Sequence, residues 1–294
     1  EIYGIDNIND YYDVSLKESR LKNLQDYPNF RFSKIDISNL HDLDNAFKDF
    51  NPKKVINLAA QAGVRYSIEN PFAYVDSNLV GFVNMIELSK KYKVDGFVYA
   101  SSSSVYGAND KIPFSVEDNV DKPMSIYAAS KRANELIAYS YSHLFKLHTT
   151  GLRFFTVYGP WGRPDMAMFI FADKISKGES IEVFNNGKMK RDFTYIDDIV
   201  NGIKSALNKN YECEVFNLGN SKSENLMDIV SHIELNLEKK AKVDFKPMQL
   251  GDVKQTYADI EKSKKLLGYN PCINIDIGIK RLIDWYKQYK EKTL

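Results

Sequence analysis

With 294 residues, 44 % of them apolar and 27 % charged, the chain has an ordinary globular composition and enough length for one large domain or two smaller ones. Its 40 basic and 39 acidic side chains leave a formal charge of +1, without a basic cluster, which argues against nucleic acid as a partner. The apolar runs are far shorter than the roughly 20 residues a membrane-spanning helix needs, the opening residues do not read as a signal peptide, and the two cysteines, Cys213 and Cys272, suit a reducing, cytoplasmic setting better than a disulfide framework.

In chain order, residues 1–6 (EIYGID) read as a buried strand ending in an acid, and residues 31–35 as a second strand. Residues 54–60 (KVINLAA) form a β-branched apolar run, followed by a helical pattern over 72–92. A strand at 96–101, a helix over 124–145 and a strand at 149–157 complete the first half. Short apolar runs alternating with amphipathic helices predict an α/β fold, a Rossmann-type doubly wound parallel sheet with helices on both faces. Beyond Gly159 the texture changes. A Pro/Gly loop leads to a helix at 166–177 and a strand at 180–184, and RDFT (191–194) leads into a helix started by Asp197 and Asp198. Residues 215–219 read as a strand returning to the sheet, and 225–238 and 275–290 as amphipathic helices. The expected organisation is a cofactor-binding domain over 1–158 and a smaller, interleaved C-terminal substrate domain over 159–294, with 192–219 returning to the first.

The strongest chemical signal is Tyr127-Ala-Ala-Ser-Lys131. Residues four apart share one face of a helix, and an ammonium beside a phenol favours the phenolate. That pair makes a general base for a hydroxyl proton. Such spacing is common on helices. Here, however, a strand about 25 residues upstream ends in SSSSVYG (residues 101–107), and strand C-termini are where ligands sit in doubly wound sheets. Asp6, ending the first strand, is placed to bind ribose hydroxyls and to repel a 2′-phosphate. Asp36 follows the second strand, and Leu58, Ala59 and Ala60 offer small or apolar residues at the end of the third.

Together SSSSVYG, Tyr127 to Lys131, NLAA (57–60) and RFFTVYGP (153–160) resemble the NAD-dependent epimerase/dehydratase family of extended short-chain dehydrogenases. Within it, WGRPDM (161–166) and PMQLGDV (247–253) are similar to UDP-glucuronate 4-epimerases. The resemblance spans essentially the whole chain. It implies Tyr127 as base, Lys131 as its cationic partner and Ser102 as the hydroxyl that bonds the reacting oxygen. NAD is the implied cofactor, in contact with Asp6, Asn7, Asp36, Ile37, Leu58, Ala59, Ala60, Asn78, Tyr127 and Lys131. A UDP-sugar is the implied substrate, with Arg163, Arg191 and Asp252 toward its diphosphate and ribose, and Arg65, Ser103 and Thr156 toward the sugar. Of these, Ser103 and Thr156 fall where a uronate carboxylate would lie. A homodimer is implied too.

One departure stands out. The family opens on a glycine-rich turn whose backbone amides hold the cofactor diphosphate, and this sequence has none. Because that turn lies roughly 20 residues ahead of the ribose acid, the chain is expected to be truncated before Glu1. Three functions compete: a 4-epimerase, a uronate decarboxylase or 4,6-dehydratase relative, and a catalytically inactive fragment acting as a binding or assembly module. Dehydratases and decarboxylases place carboxylates ahead of Val-Tyr-Gly for further acid–base work. This chain has Ser103 and Ser104 there, which favours epimerisation.

Overall fold

Residues 1–248 and 253–293 are described in a computed structural model of the chain. They form two units, one of residues 1–109, 119–153 and 203–216, the other of 110–118, 154–202 and 217–294. The boundary falls at 153/154, and the return to the first unit covers 203–216. Both differ from the expected 158/159 and 192–219. The short segment 110–118 belongs with the second unit, which sequence reading did not anticipate.

The first unit runs β1 (Ile2–Asp6), α1 (Val14–Gln25), β2 (Phe30–Lys34), α2 (Leu40–Phe50), β3 (Lys54–Asn57), α3 (Tyr66–Glu69), α4 (Pro71–Tyr74), a π-helical segment (Val75–Val80), α5 (Gly81–Lys91), β4 (Gly96–Ser102), a 3₁₀ turn (Ser103–Tyr106), α6 (Ile126–Phe145) and β5 (Thr149–Phe154). Strands β1 and β2 pair in parallel, as do β3 and β4. Among the described residues they belong to two sheets, β1–β2 and a four-stranded sheet completed by β9 (Cys213–Leu218) in the order β3-β4-β5-β9. Every residue of β4 is buried, as a central strand covered on both faces requires. Leu43 and Phe47 of α2, Phe82 and Ile86 of α5, and Phe97 and Tyr99 of β4 form the core beneath it. Each fully buried side chain of this kind stabilises by about 1.5–3 kcal/mol.

Local chemistry sets the helix ends. Asp13 caps α1 by accepting from the Ser15 amide, and Asn39 caps α2 by accepting from that of Asp42. Ser125 caps α6 at 3.1 Å from the Ala128 amide, and Lys146 closes it in the left-handed region. The single helix expected over 72–92 is three contiguous pieces with a π-helical middle. There Gly81 lets the helix approach Ile37 so closely that a Cβ would lie 2.6 Å from the Ile37 side chain.

In the second unit β6 (Thr156–Tyr158) pairs in parallel with β8 (Lys190–Tyr195), whose other edge takes β10 (Ser223–Asn225) antiparallel. Strand β7 (Ser180–Val183) pairs in parallel with β11 (Lys242–Phe245). Helices α7 (Ala167–Lys177), α9 (Leu226–Leu237) and α11 (Ile275–Thr293) enclose a core that includes Phe171, Ile181, Phe193, Ile229 and Ile283, and α10 (Glu261–Leu267) lies between the last two in sequence. Helix α8 (Ile196–Lys209) begins in this unit and ends in the first. Both tryptophans lie here, Trp161 and Trp285, their rings 5.2 Å apart. The strand expected over 149–157 is broken at Phe155 into β5 and β6, which belong to different units.

Candidate active site

Helix α6 buries polar residues. Its inner face carries Ser130, Lys131, Asn134, Glu135 and Ser142 beside Ala128 and Ala138. Buried polar groups are costly unless partnered, so each needs a reason. Lys131, 4 % exposed, donates from Nζ to the Ala100 carbonyl of β4 at 2.9 Å. Burial drives its pKa down to about 8. An ammonium has three donors, so that bond leaves capacity for a ligand. Tyr127 stands one turn earlier and is half-buried. Its ring meets the edge of Tyr74, with centroids 6.1 Å apart at 73°. Tyr74 is itself fully buried and donates to the Gly63 carbonyl at 2.5 Å.

Ser102 ends β4. Its Oγ accepts from the Ser104 amide at 3.1 Å, capping the 3₁₀ turn. That bond commits a lone pair and not the hydroxyl hydrogen, which a reacting oxygen can then accept. Ser103 follows, half-buried. Gly107 closes the turn at φ +55°, where a Cβ would lie 2.0 Å from the Lys122 carbonyl oxygen. The glycine of SSSSVYG is therefore required by the backbone.

The ends of β1 and β2 assemble a second group. Their parallel register pairs Asp6 with Lys34, which brings Asp36 beside the residue after Asp6. Asn7 donates from Nδ2 to Asp36 Oδ2 at 2.8 Å, and Ser38 donates to Oδ1 from its amide and hydroxyl at 2.9 and 2.7 Å. Burial pushes the Asp36 carboxyl up, but the bonds from Asn7 and Ser38 more than offset this and hold it below the usual range. Asp6 is exposed and accepts from the Ile8 amide at 2.7 Å. At the end of β3, Leu58 and Ala59 are open to solvent and Ala60 half so.

Two residues expected to touch a cofactor lie behind this surface. The side chain of Ile37 is 7 % exposed and belongs to the core. Asn78, 1 % exposed, spends both amide hydrogens on the Gln61 carbonyl and Ser130 Oγ, at 3.0 and 2.9 Å, while its oxygen accepts from the Gln61 amide at 2.8 Å. It holds the loop leaving β3 against α6, with both amide hydrogens committed to the protein. Arg65 is exposed at the start of α3.

In the second unit Thr156 and Arg163 line one cavity of about 40 Å³ with Gly159, Met166 and Phe193. Arg163 pairs with Asp165 at 3.0 Å. Arg191, on β8, donates to the carbonyls of Lys190 and Lys254 at 2.9 and 3.3 Å. Asp252 lies outside the described residues. Sequence reading missed Tyr74, Asn134, Glu135 and Arg153. For Asn134 and Glu135 the available signal was a polar stripe at positions 127, 131, 134 and 135 of a helix whose other face carries apolar Leu136, Tyr139, Leu144 and Phe145.

A family profile described as GDP-mannose 4,6 dehydratase matches residues 1–282. Protein CapI of Staphylococcus aureus is 48 % identical over 309 residues, covering 99 % of this chain and 92 % of that protein. The UDP-glucuronate 4-epimerase of Thermodesulfobacterium geofontis is 46 % identical over 288 residues, covering 98 % and 88 %. Among solved structures, the UDP-glucuronic acid 4-epimerase from Bacillus cereus, in complex with UDP-glucuronic acid and NAD, superposes with a TM-score of 0.91 at 34 % identity, covering 98 % of this chain and 91 % of that one.

Proposed function

Since the chain belongs to the GDP-mannose 4,6-dehydratase family of NAD-dependent epimerases and dehydratases, we propose that it interconverts UDP-glucuronate and UDP-galacturonate through a transient 4-ketone. The observation that carries this is the end of β4, where Ser102 follows two residues after the Ala100 carbonyl held by Lys131 of the helix that also bears Tyr127.

The residues present fit the adenosine and nicotinamide ends of NAD, while the glycine turn for its diphosphate is not among them. Asp6, an exposed carboxylate, suits the adenosine ribose hydroxyls, the Asn7–Asp36 pair suits the adenine side, and Lys131 suits the nicotinamide ribose. Bound NAD supplies a reversible acceptor for the C4 hydride. Tyr127 takes the C4 hydroxyl proton as the hydride leaves and returns it to the same oxygen when hydride comes back to the other face. Lys131 remains largely protonated at neutral pH, with a pKa near 8, and its charge favours the Tyr127 phenolate. Ser102 donates its hydroxyl hydrogen to the oxygen as it becomes a carbonyl.

Elimination of water needs a further proton shuttle near neutral pH. At positions 103 and 104 the chain has serines, whose hydroxyls do not ionise in that range. A 4-keto uronate is also a β-keto acid and loses CO₂ unless its carboxylate is held. Thr156 offers a neutral hydroxyl for that purpose, and Arg163 and Arg191 offer guanidinium groups for the diphosphate. A second copy of the chain is the proposed partner, seated on the apolar residues left open by α4 and α6, of which Phe72 is 75 %, Tyr139 63 % and Leu144 66 % exposed. A cytoplasmic location fits two free cysteines. No described helix is long and apolar enough to cross a membrane.

The test is to incubate the purified protein and NAD with UDP-glucuronate, UDP-glucose and UDP-N-acetylglucosamine and to quantify products by chromatography. UDP-galacturonate should dominate. A preference for a neutral sugar, or a UDP-pentose as the main product from UDP-glucuronate, refutes the assignment.

A further inference from the structure

We infer that Ser101, Glu135 and Arg153 form a buried bracket that positions Ser102 and Lys131 for reaction. The inference rests on the epimerase reading above and assigns work to residues that the chemistry leaves idle.

Glu135 is 4 % exposed and Arg153 3 %. Glu135 Oε1 accepts from Ser101 Oγ at 2.6 Å and from Arg153 Nε at 2.8 Å. Its Oε2 accepts from Arg153 Nη2 at 2.9 Å and from Arg132 Nη1 at 3.0 Å. The Arg153 guanidinium also lies 4.9 Å from the centroid of the Tyr106 ring. One carboxylate thus joins β4, α6 and β5, and its guanidinium partner adds the 3₁₀ turn.

The placement is specific. Lys131 grips the carbonyl of Ala100, and Glu135, one helical turn on, grips the hydroxyl of Ser101. These are the two residues immediately ahead of Ser102. Helix α6 therefore holds the end of β4 by two successive rungs, and the rise of 1.5 Å per residue along a helix means that a one-residue slip breaks both. Tyr127, Lys131 and Glu135 follow one another at four-residue steps, so whatever fixes Glu135 also fixes the base.

Stability alone does not account for such an arrangement. Burial would push the Glu135 carboxyl up, and Arg153, Ser101 and Arg132 must offset that before it is held below the usual range. Replacing a buried ion pair by apolar residues of similar size is often neutral or stabilising, because desolvating two charges consumes most of their attraction. What the pair adds is a fixed, directional geometry beside the reacting groups. Arg153 opens RFFTVYGP and Tyr106 belongs to SSSSVYG, so the bracket joins the two motifs.

Two variants test the bracket. Ser101→Ala removes one rung and leaves the ion pair. Its kcat should fall about 10-fold, with KM and thermal midpoint near wild type. The double variant Glu135→Leu/Arg153→Met exchanges the ion pair for apolar contacts. It should keep or raise the thermal midpoint while kcat drops about 100-fold at little-changed KM. A purely structural network predicts the reverse: wild-type kcat in whatever protein folds. Wild-type kcat in Ser101→Ala, or in a stable double variant, overturns the inference. A wild-type protein that turns over no UDP-sugar sinks the epimerase reading instead. The bracket is then judged by a crystal structure of the Ser101→Ala protein, in which an unmoved Lys131–Ala100 contact refutes it and a displaced one supports it.

Discussion

Lys131→Met should separate function from stability. The lysine is fully enclosed and its pKa falls from 10.5 to about 8 through burial. At 1.36 kcal/mol per unit, keeping it charged at neutral pH costs the fold about 3 kcal/mol. Methionine matches the unbranched shape without the charge. It forfeits the bond to the Ala100 carbonyl, and an orphaned buried acceptor costs about 1–3 kcal/mol. The net expectation is a change between zero and about 2 kcal/mol in favour of the variant. For a protein of this size that corresponds to a thermal midpoint unchanged or a few degrees higher. The sign with pH is also fixed. Between the folded pKa near 8 and the unfolded 10.5, the unfolded chain binds more protons, so wild-type stability rises with pH across that window. In Lys131→Met that part of the rise disappears. Circular-dichroism melts at several pH values, with turnover measured on the same samples, provide the assay. Turnover should fall at least 100-fold, as for loss of a group supporting general-base catalysis. A variant much less stable at neutral pH, with the alkaline rise intact, refutes the account of Lys131 as a charge held in place at the expense of stability.

Other substitutions probe the remaining parts. Tyr127→Phe should keep the melting profile and lose 10²–10⁴-fold in turnover; near-wild-type kinetics in the same chromatographic assay would contradict its role as base. Asp6→Asn keeps the acceptor for the Ile8 amide but removes the charge that opposes a 2′-phosphate, so calorimetry should show the preference for NAD over NADP shrinking by about 10-fold or more. Gly107→Ala forces a side chain onto the Lys122 carbonyl at φ +55°, and should lower stability by about 1–3 kcal/mol in urea unfolding. Thr156→Val removes a hydroxyl from its cavity; uronate turnover should drop by roughly 10-fold, as for a lost bond to a charged group, with more UDP-pentose released and UDP-galactose little affected.

What sequence could show was governed by distance along the chain. Tyr127 and Lys131 are four apart on one helix, so periodicity alone places them together, and the apolar run at 96–101 marks the strand ending at Ser102. Helix α2 has Leu43, Ala46 and Phe47 at helical spacing, but only over 11 residues. Helix α1 buries only Leu16 and Lys17, so its apolar stripe is too thin to detect. The break at Phe155 separates two strands inside the single stretch TTGLRFFTV, where residue pattern holds no trace of a change of sheet. The family resemblance alone implies Asn78 as a cofactor contact. Its actual partners lie at sequence separations of 17 and 52, which one sequence does not disclose. Glu135 and Arg153 escaped for the same reason, their partners being 18 and 34 positions away.

The tryptophan pair has a practical consequence. Trp161 and Trp285 are the chain's two tryptophans and stand against each other, and both belong to the second unit. The first unit absorbs near-ultraviolet light through tyrosine and phenylalanine only. Emission excited at the red edge of aromatic absorption therefore reports the second unit by itself, whereas far-ultraviolet dichroism averages the backbone of both. If the two signals disappear together on heating or in urea, the units unfold as one cooperative body. If emission changes at a different point, each unit has a stability of its own, and the wild-type protein carries the label that reveals it.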